Sequence, residues 1–361
     1  MTKLLPGLVL CAAALGAGCS TAPGTLGEKT AAGTSATSAP VAVSPGGASA
    51  DPPGVKASAS ANDEPPLPPP DAALLTRLRA DVEAVAISRA PLSPGWRSVQ
   101  AKLKERLNAL GIATSTQAFG GGGQNVLGII EGTDKESGTV ILSAHYDHIA
   151  GCGGADDNAS GVAVVLEAAR ALSASKSKRT LVLAFWDQEE AGLLGSAEYA
   201  RVARARGDEI TLMISLDGVG YADRRAGSQT LPDGIDLILP EMVKELEATG
   251  RKGDFLAAIG DEGSSEAIAA LRRQGARRGL PVFGAGLSRL ARLGLLDAAR
   301  SDHASFWLAG YPGILLTDTA NFRNPRYHCG AGPDTPETLD YEFLARVTLT
   351  TIDLVREAQG S

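Results

Sequence analysis

The chain has 361 residues, enough for one large domain or two ordinary ones, and an apolar fraction of 44% that is usual for a globular protein. Its net charge is −7 and it carries no basic run. Both features argue against nucleic-acid binding, where neutralising phosphates supplies much of the affinity.

The chain opens with "MTKLLPGLVLCAAALGAGCS": one Lys, an apolar stretch, then small residues ending at Cys19. That order reads as an export signal and is too short for a comfortable membrane span. The small residues before Cys19 resemble a bacterial lipoprotein processing site, which makes Cys19 the lipidation candidate. Residues 1–19 are therefore expected to be a signal peptide. The protein is expected in the bacterial cell envelope, touching the membrane only through an N-terminal lipid, with periplasmic or secreted release as the other reading. Residues 20–70 are mostly Ala, Ser, Thr, Gly and Pro, closing with "EPPLPPP". Such a stretch buries too little apolar surface to offset its ordering entropy, so it is read as a disordered tether.

From Asp71 the pattern changes. Leu74, Leu75, Leu78, Val82 and Val85 recur at helical spacing behind Asp71 as the cap. A second helix follows Ser93 and Pro94, with Trp96, Val99, Leu103 and Leu107 as its apolar stripe and Gly111 as its stop. Strands are then predicted at 125–131, 139–144, 179–186, 210–216 and 313–317. Helices are predicted at about 160–174, 190–206, 264–278, 302–309 and 336–357. "TVILSA", "TLVLAFW" and "ITLMISL" are apolar nearly throughout, which implies strands buried on both faces. The expected fold class is α/β: a three-layer α/β/α sandwich with a mixed, mostly parallel central sheet, over residues 71–361. The stretch 221–262 is read only coarsely.

Ionisable residues follow these strands repeatedly, at the end where open α/β sheets build their sites. His145 and Asp147 follow the second predicted strand, Glu189 and Glu190 the third, and Asp217 the fourth. Together with "ADDN" at 155–158 they would crowd carboxylates and imidazoles around one point, which requires a cation. A mixed His/Asp/Glu shell favours zinc or a similar divalent ion. Two adjacent glutamates suit a ligand beside a general base. Taken singly, each carboxylate reads equally as a helix cap or solvated turn, as Asp156 and Asn158 do.

"SAHYDH", "GADDNASG", "WDQEEAGLLGS", "SLDGVGY", "RSDHASFW" and "NPRYHCGAGPDTPETLD" occur in an order and spacing that resembles the co-catalytic dizinc aminopeptidases, metallopeptidase family 28. The resemblance implies two Zn2+ per chain (other divalent ions being alternatives) and a peptide substrate with a free N-terminus. It implies His145 and Asp217 as ligands of one ion, Glu190 and His328 as ligands of the other, and Asp157 as the bridge. Glu189 corresponds to the general base acting on the attacking water, and Tyr327 to a hydroxyl donor that steadies the tetrahedral intermediate. Asp147 is read as the orienter of His145, and His148 is not an obvious ligand. Asp302 and His303 are placed in the pocket wall, where they touch substrate or ligands. Asp334 lies further beyond His328 than the family spacing, which counts against a direct role. Cys152 falls between His145 and Asp157, and Cys329 directly follows His328, so a Cys152–Cys329 disulfide is expected, with a pair of free thiols as the rival. A monomer is expected. Two other functions stay open: a glutaminyl cyclase-like acyltransferase with one zinc, and a non-catalytic binding protein on the same fold.

Overall fold

Apolar runs too continuous for a one-sided sheet settle at the middle of one, as a computed structural model of residues 65–360 shows. The signal-peptide reading, Cys19 and the tether before residue 65 lie outside the described residues. In chain order the elements are α1 (Ala72–Val85), α2 (Pro94–Ala109), β1 (Ala113–Ala118), β2 (Gln124–Ile130), β3 (Thr139–His145), α3 (Gly161–Leu172), β4 (Thr180–Trp186), α4 (Leu194–Arg206) and β5 (Ile210–Leu216). They continue with α5 (Ile235–Ile238), α6 (Pro240–Ala248), β6 (Leu256–Asp261), α7 (Ser265–Arg278), β7 (Val282–Leu287), α8 (Arg289–Gly294), α9 (His303–Ala309), β8 (Gly313–Thr317) and α10 (Tyr341–Gln359).

The strand order is β1-β2-β4-β3-β5-β8-β6-β7. β4, β3, β5 and β8 run parallel, as do β6 and β7, while β1–β2, β2–β4 and β8–β6 pair antiparallel. The sheet is mixed and mostly parallel, with helices on both faces. Alternation along β3 shows why its residues are all apolar. Val140, Leu142 and Ala144 join a core with α1, α2, α3, α7 and α10. Ile141 joins the opposite core with Tyr199 and Ala203 of α4 and Phe306 of α9. Burying each Val, Leu, Ile or Phe among them contributes about 1.5–3 kcal/mol. Both predicted caps are in place: Leu74 N–H donates to Asp71 (2.7 Å) and Trp96 N–H to Ser93 (3.1 Å).

Several expectations are corrected. β1, β6 and β7 were not predicted as strands. β1 (ATSTQA) is a polar edge strand, and β6 (LAAIGD) and β7 (VFGAGL) are rich in Ala and Gly, which carry little strand preference. α10 starts at Tyr341 rather than 336, because Asp340 caps it through Phe343 N–H. The end of the stretch read as tether lies against α7: Leu67 N–H donates to the Arg277 carbonyl at 2.9 Å.

The chain leaves β3 for β4 on one side and for β5, after β4, on the other. The carboxyl end of β3 is therefore a topological switch point, where the loops diverge and leave a crevice.

Candidate metal centre

His145 is the last residue of β3, Glu189 and Glu190 lie just beyond β4, and Asp217 directly follows β5. Asp157 stands in the loop between β3 and α3, and Tyr327 and His328 in a turn after β8. The fold brings all of them together. Asp157 is the centre of the group: its Oδ1 lies 3.1 Å from His145 Nε2 and its Oδ2 lies 3.1 Å from His328 Nε2. Asp217 Oδ1 is 3.5 Å from the same His145 nitrogen, and Glu190 Oε2 is 3.1 Å from the same His328 nitrogen. Donors around one tetrahedral zinc at about 2.0–2.1 Å sit roughly 3.3 Å apart. Each side of Asp157 therefore offers one histidine and one further carboxylate at ligand spacing.

The residues fit divalent ions. Although buried, His145 Nε2, Asp157 Oδ1 and His328 Nε2 find no hydrogen-bond partner among the described residues. Burial would lower His145, yet Glu189, Asp147, Asp157 and Asp217 push it well above its usual value. Burial would likewise lower His328, yet Asp157 and Glu190 raise it to about 10. Burial would raise Asp157 and Glu190, but their histidine partners pull Asp157 well below its usual range and Glu190 to about 2. In the metal-free chain the site thus demands positive charge, and protons on the two imidazoles supply what cations would.

Donor atoms of His145, Glu189 and Asp217 lie within 4.8 Å of one another, as do those of His148, Asp157 and Glu190. Glu189 and His148 are thus alternative ligands by distance. His148 Nδ1, however, is engaged with Glu190 Oε1 at 2.7 Å, on the opposite oxygen from the one facing His328. We read His148 as the group that holds Glu190. Sequence reasoning passed over it, because a partner 42 residues away is invisible in the motif. Glu189 is buried, and burial followed by Asp217, Asp302 and Asp157 raises its carboxyl well above the usual range despite His145.

Asp147 has a wider role than orienting one imidazole. His145 Nδ1 lies 3.3 Å from its carbonyl and 3.7 Å from its Oδ1. The same carboxylate accepts the N–H groups of Glu189 (3.0 Å) and Glu190 (3.3 Å), fixing both glutamates to the turn that follows β3. Asp334 does the same for the bridge loop, accepting the N–H groups of Asp156 and Asp157 at 3.0–3.2 Å. Its role is in the backbone beneath the ligands. Gly154 has φ +59°, and a Cβ there would meet the Asp157 carbonyl at 2.3 Å and the His148 ring at 2.6 Å. Gly154→Ala is expected to misplace both, so zinc bound per chain, measured by atomic absorption, should fall.

Cys152 and Cys329 form the expected disulfide, with Cα atoms 5.9 Å apart across 177 residues of sequence. It ties the bridge loop to the His328 turn. His328 and Cys329 both have positive φ, 52° and 57°, a backbone region that disfavours residues with a Cβ. The covalent link opposes relaxation of that turn. Cys329→Ser should bind the ion next to His328 about 10–100-fold more weakly, the usual effect of losing support around a ligand. Zinc titration of the metal-free variant checks this, and unchanged affinity at both sites would refute it.

Asp302 is fully buried near the centre. Burial raises it to about 7, with His145 opposing and Asp217 and Asp147 adding. His303 points elsewhere: its Nε2 bonds the Ala298 carbonyl at 2.8 Å and its ring meets Trp307 edge-on. Burial lowers its pKa to about 4, partly offset by that carbonyl. An unfolded histidine titrates near 6.5. Above that pH both states are neutral and the contribution is complete. As pH falls from 6.5 towards 4 the unfolded chain takes up a proton that the folded chain refuses, costing up to about 3 kcal/mol. Urea midpoints of the metal-free protein at pH 7.5 and 5.0 should therefore differ less in His303→Gln than in the parent.

Beside Asp217 and Tyr327 opens a cavity of about 130 Å3, walled by Leu231, Ile235, Met242, Phe255, Ile259, Phe283, Leu295 and Phe322. Its walls come largely from residues 229–259, within the coarsely read stretch 221–262, and from residues 283–298 beyond the helix predicted at 264–278. Tyr327 stacks on the His328 ring, centroids 4.0 Å apart, and its hydroxyl accepts from Arg300 at 3.3 Å.

Residues 125–262 match Peptidase family M28. The uncharacterized protein YfbL of Escherichia coli (strain K12) is 32% identical over 228 residues, covering 60% of this chain and 66% of that protein. A probable leucine aminopeptidase of Trichophyton verrucosum (strain HKI 0517) is 29% identical over 237 residues, covering 61% of this chain and 52% of that protein. The chain thus spans less than two thirds of the length of these relatives. In fold it is similar to the Legionella pneumophila LapA aminopeptidase, at a TM-score of 0.61 and 18% identity over 80% of this chain and 74% of that one. It is also similar to Porphyromonas gingivalis glutaminyl cyclase, at 0.54 and 21% over 79% and 97%. At these identities the structural likeness is one of fold.

Proposed function

Residues 125–262 place this chain in Peptidase family M28, and from that premise we propose that it is a zinc-dependent aminopeptidase acting on peptides whose first residue carries a large apolar side chain. The observation that carries this reading is Asp157, one carboxylate standing 3.1 Å from two different histidine nitrogens. His145 and Asp217 would hold one ion, His328 and Glu190 the other, and Asp157 both. When bound, such ions lower the pKa of water and polarise a carbonyl as Lewis acids.

The chain's own groups do the rest. Glu189, buried beside the His145–Asp217 pair, takes a proton from the attacking water and returns it to the leaving amine. Tyr327 accepts from Arg300, which leaves its own O–H to donate to the oxygen on which charge develops. A free α-ammonium group is favoured by the carboxylates that crowd the crevice, and a blocked N-terminus loses that attraction. The apolar cavity beside Asp217 takes the first side chain.

Two donor groups around a shared carboxylate favour this reading over the one-zinc acyltransferase, and retention of every proposed ligand favours it over a binding protein. Export is also part of the proposal. It is supported by the leader-like residues 1–19 and by a disulfide, a bond that persists in oxidising compartments. The test is a screen of aminoacyl p-nitroanilides and an N-terminal glutamine peptide on the zinc-loaded full chain. Leucine and phenylalanine substrates should exceed glycine and glutamate in kcat/KM by about 10–100-fold, as expected where burial of apolar groups discriminates. Cyclisation of the glutamine peptide without anilide hydrolysis would support the acyltransferase instead.

A further inference from the structure

Arg89 lies in the connection between α1 and α2, outside the stretch matched to the family. Its side chain is fully buried. A buried cation ordinarily faces a carboxylate, but none of the ion pairs among the described residues includes Arg89. Its donors go to backbone carbonyls instead. Nε donates to Tyr146 (2.9 Å), directly after His145. One terminal nitrogen donates to Gly153, Val85 and Ile87, and the other to Gly154 (2.9 Å) and Asp157 itself (3.3 Å). The planar fork thereby gathers the segment after one ligand and the loop that carries the bridge.

We propose that Arg89 is a positioning residue of the metal centre, setting the backbone from which His145 and Asp157 project. The proposal rests on the two-ion reading above. Two effects of this side chain oppose each other. As a cation it disfavours other cations nearby, so its charge alone would weaken zinc binding. As a five-donor fork it holds two ligand-bearing segments in register, and without it several buried carbonyls lose their partners. The geometric effect dominates, because the carbonyl of Asp157 is among the groups it holds and the ligand spacing depends on that residue.

The test uses metal-free full-chain protein, the parent beside R89K and R89M, with a zinc-competition titration and thermal unfolding with and without zinc. Both variants should bind zinc about 10–100-fold more weakly, the range for groups that support metal ligands. R89K, which keeps the charge and some donors, should be less affected, and the rise in Tm produced by zinc should shrink in both. A role in stability alone would lower Tm equally with and without zinc and leave zinc affinity unchanged, which overturns the proposal. Tighter zinc binding by R89M would overturn it too, by showing that charge outweighs geometry. R89K carries the test if R89M does not fold. A parent protein that takes up no zinc would overturn the two-ion reading itself, a result distinct from either outcome of the variants.

Discussion

Glu189→Gln is expected to keep two zinc ions per chain and to lose about 10²–10⁴ of kcat, the usual contribution of a general acid–base group. The substitution preserves size and removes only the ability to take a proton. Its backbone N–H would still donate to Asp147, so the turn that also carries Glu190 should stay in place. The rival assignment is that Glu189 is itself a ligand, since its donor atom lies within 4.8 Å of those of His145 and Asp217. The two assignments part on metal content. A ligand would give up zinc on amidation, whereas a base would give up turnover at constant zinc. Metal analysis and steady-state kinetics on one preparation decide between them.

Asp157→Ala is expected to empty both sites, and His328→Ala mainly one. The reason is geometric. Asp157 presents one oxygen to His145 and the other to His328, each at 3.1 Å, so no other side chain in the centre serves both sides. The His328 Nε2 faces the Asp157 and Glu190 carboxylates, and the pair His145–Asp217 stands without it. His328→Ala should therefore retain about one zinc per chain and Asp157→Ala close to none at low free zinc. If the two variants lost the same single ion, Asp157 would not be the bridge.

Much of the centre could be read from the chain, for a physical reason. Strands buried on both faces announce themselves as apolar runs, and polar residues directly after them mark the end of the sheet where sites form. His145, Glu189, Glu190 and Asp217 all carry that signal. The supports carry none. Arg89 is one arginine in a short connection, and its partners are carbonyls up to 68 residues away. His148 stands inside a motif whose other histidine explains it away, and its bond to Glu190 exists only in space. Asp334 was set aside on spacing, yet it binds backbone, which spacing between side chains does not reveal. β6 and β7 escaped because Ala and Gly dominate them, and with them went the apolar cavity that β6 and β7 help to wall.

The central claim, that this centre is a two-ion peptidase site, is tested most directly by titrating the metal-free full chain with zinc while following release from leucine p-nitroanilide. Release should be absent without zinc and reach its full rate only as a second equivalent binds. A full rate after one equivalent, or no release at any zinc concentration from protein shown to hold two ions, would contradict it.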